Sequence, residues 1–191
     1  MNPIALVGLP GGGKSTVGRQ LSRRLGCDFV DTDTVIEKRI GTSIRAFFES
    51  SGEAAFRDLE TQVLREVCAD HRGVLATGGG AVLRSENRQL LKAHCTVVYL
   101  RSSPEELHRR LRHDTHRPLL QVADPLARLR ELYAQRDPLY RDAAQFVIET
   151  GRPSVNMLVN MILMQLELAG LVDADLAASP VSGALQQAVG S

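Results

Sequence analysis

The sequence predicts an α/β fold, a parallel sheet with helices on both faces. Two observations point there. Short uninterrupted apolar runs, the mark of strands buried on both faces, alternate along the chain with amphipathic stretches. The first of these runs passes through a glycine-rich turn straight into a helical segment. A length of 191 residues, 43% of them apolar, suits one domain with a substantial core.

Ile4-Ala5-Leu6-Val7 is the first strand, and a helix follows from about Lys14 to Leu25. Phe29-Val30 reads as a second buried strand. Thr34 to Glu37 matches a capping box and starts a helix, and Ser50 to Glu53 matches another. The helix opened by Ser50 would bury Phe56, Leu59, Val63 and Val67. Val74-Leu75-Ala76 is a third strand, ended by Gly78-Gly79-Gly80, and a helix spans about Glu86 to Lys92. Thr96 to Leu100 is the fourth strand. Ser103-Pro104-Glu105 then supplies a cap, a first-turn proline and an acidic first turn for a helix reaching about Arg112. His113 to Ala123 is polar and loop-like. A helix from Asp124-Pro125 to about Arg136, a strand at Phe146-Val147-Ile148 and a helix capped by Ser154 complete the pattern. The expected domain covers residues 1–171. Residues 172–191 are rich in Ala, Ser, Gly and Gln and read as a poorly ordered tail.

Bulk properties narrow the function. A formal net charge of +1 argues against a nucleic-acid binder. Lys14, Lys38 and Lys92 are the three lysines among 23 basic residues, so nearly all positive charge is guanidinium, suited to bidentate carboxylate or phosphate binding. Cys27, Cys68 and Cys95 form no CxxC pair and read as buried thiols in a reducing compartment. No leader-like N-terminus and no membrane-length apolar run occur, so a cytoplasmic protein without membrane contact is expected. No exposed apolar stripe stands out, and a monomer is expected.

Gly8-Leu9-Pro10-Gly11-Gly12-Gly13-Lys14-Ser15 fits GxxxxGK[ST] between a buried strand and a helix. Backbone N–H groups of Gly11, Gly12 and Gly13 and the positive end of the helix would cradle phosphate oxygens. Lys14 would reach the β- and γ-phosphates of ATP, Ser15 would ligate Mg²⁺, and Thr16 would add an α-phosphate contact or simply pack in the first turn. Neither an NKxD guanine-reading motif nor an apolar run ending in an acid accompanies the loop, so another group must help hold the metal. Asp31 and Asp33 end the second strand two residues apart and would face the cradle together. One would organise Mg²⁺ and the other accept a substrate hydroxyl; capping is the competing role for Asp33. Arg57 either binds a ligand or pairs with Glu53 four residues earlier. Gly78, Gly79 and Gly80 open the backbone to close approach by a ligand. Arg117, before Pro118, would swing onto the γ-phosphate from a lid, and Arg136 is ambiguous by itself.

Together the glycine loop, Asp31-Thr32-Asp33, Phe56-Arg57, Thr77 to Val82, Arg117-Pro118-Leu119-Leu120 and Arg136 with Pro138-Leu139-Tyr140 resemble the shikimate kinase family over roughly 165 residues. The resemblance implies a P-loop kinase α/β/α sandwich, a five-stranded sheet in the order 2-3-1-4-5 and a lid. It implies transfer of the γ-phosphoryl group of ATP to the 3-hydroxyl of shikimate, on the way to chorismate and the aromatic amino acids. Carried over by position, Asp33 is the base and substrate contact, Arg57 and Arg136 hold the substrate carboxylate, and Gly79 supplies a backbone contact. Arg117 touches the phosphates, Ser15 and Asp31 serve Mg²⁺, the latter through water, and Arg110 and Arg152 lie near the adenine. Gly12 departs from the small side chain frequent there. A gluconate kinase-like enzyme is one alternative, disfavoured by Asp-Thr-Asp and Gly-Gly-Gly. A non-catalytic ligand sensor is the other, disfavoured by intact Lys14, Asp33 and Arg117.

Overall fold

In the computed structural model, which describes residues 1–112 and 121–173, the first strand β1 (Ile4–Val7) is the centre of the sheet. Its neighbours are β3 (Val74–Ala76) and β4 (Thr96–Arg101), with β2 (Phe29–Asp31) and β5 (Phe146–Glu149) at the edges. All pairs are parallel, in the order β2-β3-β1-β4-β5, as the family resemblance implies. Ile4 faces Val74 on one side and Thr96 on the other. The edge position explains one departure from expectation: β2 is only half-buried, because one side of it meets no further strand.

Side-chain alternation along β1 feeds two cores. Ile4 and Leu6 pack with Leu21 of α1 (Lys14–Leu25) and with Leu158 and Ile162 of α7 (Val155–Leu168). Ala5 and Val7 face the opposite layer, with Leu64, Leu91, Leu129 and Tyr140. That layer draws on α3 (Ile44–Asp70), α4 (Ser85–His94) and α6 (Pro125–Ala143). Leu107 joins it from α5 (Pro104–Leu111). Ile36 of α2 (Thr32–Ile40) packs separately with Phe56 and Val63. Cys68 and Cys95 are buried with their sulfurs 3.6 Å apart, whereas Cys27 is only half-buried.

Three helix limits differ from the sequence reading. α2 begins at Thr32 rather than near Thr34, because Asp31 is the cap: its carboxylate accepts from the N–H groups of Asp33 at 3.0 Å and Thr34 at 3.4 Å. α3 is two helices joined at a break at Gly52: the second opens there, as the Ser50 to Glu53 signal predicts, and an unexpected first one is capped by Ser43, whose hydroxyl accepts from Ala46 N–H. Gly52 lies at φ 84°, ψ 171°, a region essentially closed to other residues. α6 runs past Arg136 and through Pro138 to Ala143. A proline costs a helix one hydrogen bond and crowds the preceding turn, but burial of Leu129, Leu132, Tyr140 and Ala143 holds this one together.

The expectation of no exposed apolar stripe is also revised. Met157, Met164 and Leu168 recur at spacings of seven and four residues on α7 and are exposed. Among the described residues, no helix is long and apolar enough to cross a membrane. Arg117, the lid segment and the tail from residue 174 lie outside the described residues.

Candidate active site

Two cavities meet at the C-terminal ends of β1, β2 and β3. One, of about 480 Å³, is lined by Gly11, Gly13, Lys14, Ser15, Thr16, Asp31 and Thr77 among others. The other, of about 620 Å³, is lined by residues including Phe48, Phe56, Arg57, Glu60, Gly80 and Arg136. Pro10, Asp33, Gly78 and Gly79 belong to both. Asp33 therefore stands where a group held in one cavity would meet a group held in the other.

The glycine loop closes on itself. Gly11 and Gly13 take φ of 80° and 84°, and Gly12 N–H donates to the Leu9 carbonyl at 3.1 Å. Lys14 is buried, and its ammonium donates to the carbonyls of Gly8 at 2.7 Å and Leu9 at 2.9 Å. Ser15 Oγ donates to Asp31 Oδ2 at 2.5 Å, while Asp31 Oδ1 caps α2. The cap thus aims the second carboxylate oxygen at Ser15. Thr16 is exposed at the mouth of this cavity.

Asp33 sits in the first turn of α2, not on the strand, yet Asp31 and Asp33 still line one cavity. Burial pushes the Asp33 carboxyl up to about 6, helped by the negative charges of Asp31 and Glu60 and opposed by Lys14. An acid in that range takes and gives protons near neutrality.

Arg57 partners Glu60 at 2.8 Å and Glu53 at 3.5 Å. The pairing with Glu53 expected from spacing exists, but Glu60 makes the tighter one. The Arg57 Nε is buried, and its 3.5 Å contact with Glu53 is too poorly aligned for a hydrogen bond. Glu60 was not singled out from sequence. Its signal was a carboxylate three residues after Arg57, on the same buried stripe as Phe56, Val63 and Leu64. Burial raises the Glu60 carboxyl above the usual range although Arg57 pulls it down. The glycine triplet runs between these groups: a Cβ on Gly78 would lie 2.7 Å from Asp33 Oδ1, and one on Gly80 would lie 2.4 Å from Arg57 Nη1. Gly79 gives its carbonyl to the hydroxyl of Tyr140 at 2.5 Å.

Arg110 reaches toward the loop from α5. It pairs with buried Glu106 at 2.6 Å and donates to the Thr150 carbonyl at 3.2 Å. A Cβ on Gly13 would be 4.0 Å from its Nη1. Arg152 is exposed in the turn between β5 and α7.

A family model described as shikimate kinase matches residues 10–167. A shikimate kinase of Ralstonia nicotianae is 55% identical over 184 residues, 96% of this chain and 97% of that one. One from Paracidovorax citrulli is 61% identical over 171 residues, 88% of this chain and 93% of its own. The solved structure of shikimate kinase from Acinetobacter baumannii in complex with shikimate superposes with a TM-score of 0.84 at 44% identity. It covers 91% of this chain and 96% of that one.

Proposed function

The chain belongs to the shikimate kinase family and transfers the γ-phosphoryl group of ATP to the 3-hydroxyl of shikimate, and we propose that Asp33 is the residue at which the two substrates meet. The carrying observation is the position of Asp33 in the wall common to both cavities. The glycine-loop cavity takes the ATP phosphates, and the cavity with Arg57 and Arg136 takes the acceptor. Asp33 accepts the proton of the attacking hydroxyl and orients its oxygen toward the γ-phosphorus.

Shikimate is a small anion with adjacent hydroxyls, and the second cavity suits both features. Arg57 and Arg136 give charge-assisted hydrogen bonds to the carboxylate. Glu60 holds the Arg57 guanidinium from behind. Backbone of Gly78, Gly79 and Gly80 approaches the ring closely because it carries no side chains. Fixing the carboxylate at one end selects which hydroxyl reaches Asp33 at the other. Lys14 leaves its two carbonyl partners for the phosphates, and Arg117 joins from the segment before α6.

Ser15 and Asp31 fit a Mg²⁺ site: a hydroxyl and a carboxylate oxygen 2.5 Å apart beside the phosphate cradle. An ion there would take its remaining ligands from phosphates and water. Such an ion would neutralise charge on the transferring group. Asp31 would act through a bound water. Arg110, Thr16 and Arg152 would serve the nucleotide side, and the enzyme would act in the cytoplasm.

The test is ADP release from MgATP with shikimate, quinate, gluconate or no acceptor. Release with shikimate alone is expected. Release with another acceptor would keep the kinase and change the substrate, and ATP binding without release would favour a sensor.

A further inference from the structure

We propose that Tyr140 is a positioning residue for the acceptor, a single buried hydroxyl on α6 that fixes the glycine triplet in the cavity wall. The proposal rests on the reading of the second cavity as the shikimate site. Tyr140 does not line that cavity. It is fully buried one helical turn after Arg136, on the part of α6 that continues through Pro138. Its hydroxyl donates to the Gly79 carbonyl at 2.5 Å. The positive charge of Arg136, one turn earlier, acts on the same phenol. The hydroxyl therefore ties α6, whose Arg136 lines the cavity, to the glycine triplet that lines it too.

The consequence follows from peptide geometry. The described peptide bonds are all trans, so the Gly79 carbonyl and the Gly80 N–H point in opposite directions across one plane. Holding the carbonyl toward α6 turns the Gly80 N–H away from α6. Three glycines in succession have little of their own to resist rotation of that plane. The phenol is itself held: its ring packs on Tyr99 at 4.9 Å, and the Tyr99 hydroxyl donates to Asp137 at 2.8 Å. Burial pushes the Tyr140 phenol up to about 12, so it remains a donor throughout the working pH range.

Tyr140→Phe keeps the ring and deletes the hydroxyl. KM for shikimate should rise about tenfold, the equivalent of one lost hydrogen bond, with kcat changed less than threefold and KM for ATP unchanged. Tyr133→Phe is the control. It removes a hydroxyl on the same helix, bound to Arg101 Nε at 2.8 Å, and should leave both KM values unchanged. A second measurement needs no variant: in the ¹⁵N-labelled wild-type protein, shikimate should shift the Gly80 amide resonance. An unchanged shikimate KM in folded Tyr140→Phe, or equal losses for ATP and shikimate, would overturn the proposal. So would a Gly80 resonance that ignores shikimate. Wild-type turnover separates the two failures: an enzyme inactive on shikimate overturns the substrate reading as well, whereas an active one with an indifferent variant overturns only the role of Tyr140.

Discussion

Asp33 meets two opposing demands. Its proposed role as base needs its charge near the phosphates, and burial beside Asp31 and Glu60 penalises that charge. The sign of the consequence is fixed. An acid whose pKa is raised on folding destabilises the folded state as pH climbs from the ordinary carboxylate range through about 6. Asp33→Asn should therefore melt above wild type at pH 7.5 and coincide with it near pH 4, by at most about 3 kcal/mol for a shift of roughly two units. The same variant should lose about 10²–10⁴-fold in kcat and keep its ATP affinity, measured by titration calorimetry. A variant less stable at pH 7.5, or one that turns over normally, would remove Asp33 from the role of base. Arg57 offers a parallel case. Arg57→Lys keeps the charge that Glu60 needs but loses the fork, so KM for shikimate should rise at least about tenfold while stability changes little. An unchanged KM would leave Arg57 as a partner of glutamates alone.

At the scale of elements, what the sequence made legible and what it hid divide along physical lines. β1, the glycine loop and α1 were legible because a buried strand, a fixed motif and an amphipathic helix all agree there. The start of α2 was misread because two capping signals lie three residues apart, and Asp31, which also faces Ser15, outcompetes Thr34. Ile44–Ser51 was hidden because Ser43 lacks the glutamate that completes a capping box, and its Phe47 and Phe48 face a satellite cluster and a cavity rather than the main core. Tyr140 was quoted as part of a motif, but its role depends on α6 continuing through Pro138, which local propensity opposes. Gly52 is the element-scale device most open to test. Its backbone break turns the segment bearing Ile44, Phe48 and Glu49 into a wall of the acceptor cavity. A Cβ there meets nothing within 4 Å, so Gly52→Ala isolates backbone strain from crowding. It should cost about 1–3 kcal/mol of stability and raise KM for shikimate with KM for ATP unchanged, as denaturant titration and steady-state kinetics would report. Full retention of stability would mean that the break relaxes freely.

Across the whole molecule, the strand order places two cavities side by side and gives them separate chemistry. The side proposed for the phosphates is lined by the glycine loop, Lys14 and the Ser15–Asp31 pair, and the side proposed for the acceptor by Arg57, Arg136 and bare glycine backbone. Among the described residues, only Pro10, Asp33, Gly78 and Gly79 are common to both walls. Metal removal should act on one side. With EDTA, turnover should vanish and ATP should lose most of its stabilising effect, because the phosphates then carry uncompensated charge toward Asp31 and Asp33. Shikimate should still raise the melting temperature, since none of its proposed contacts involves the Ser15–Asp31 pair. At a hundred times its dissociation constant a ligand stabilises by about 2.7 kcal/mol, a shift well within reach of thermal denaturation. Equal loss of both ligands' effects on chelation would show that the metal also organises the acceptor cavity, most directly by pulling Asp31 and with it the start of α2. A shikimate shift that survives EDTA while the ATP shift collapses would establish that the two halves bind independently and are joined for catalysis at Asp33.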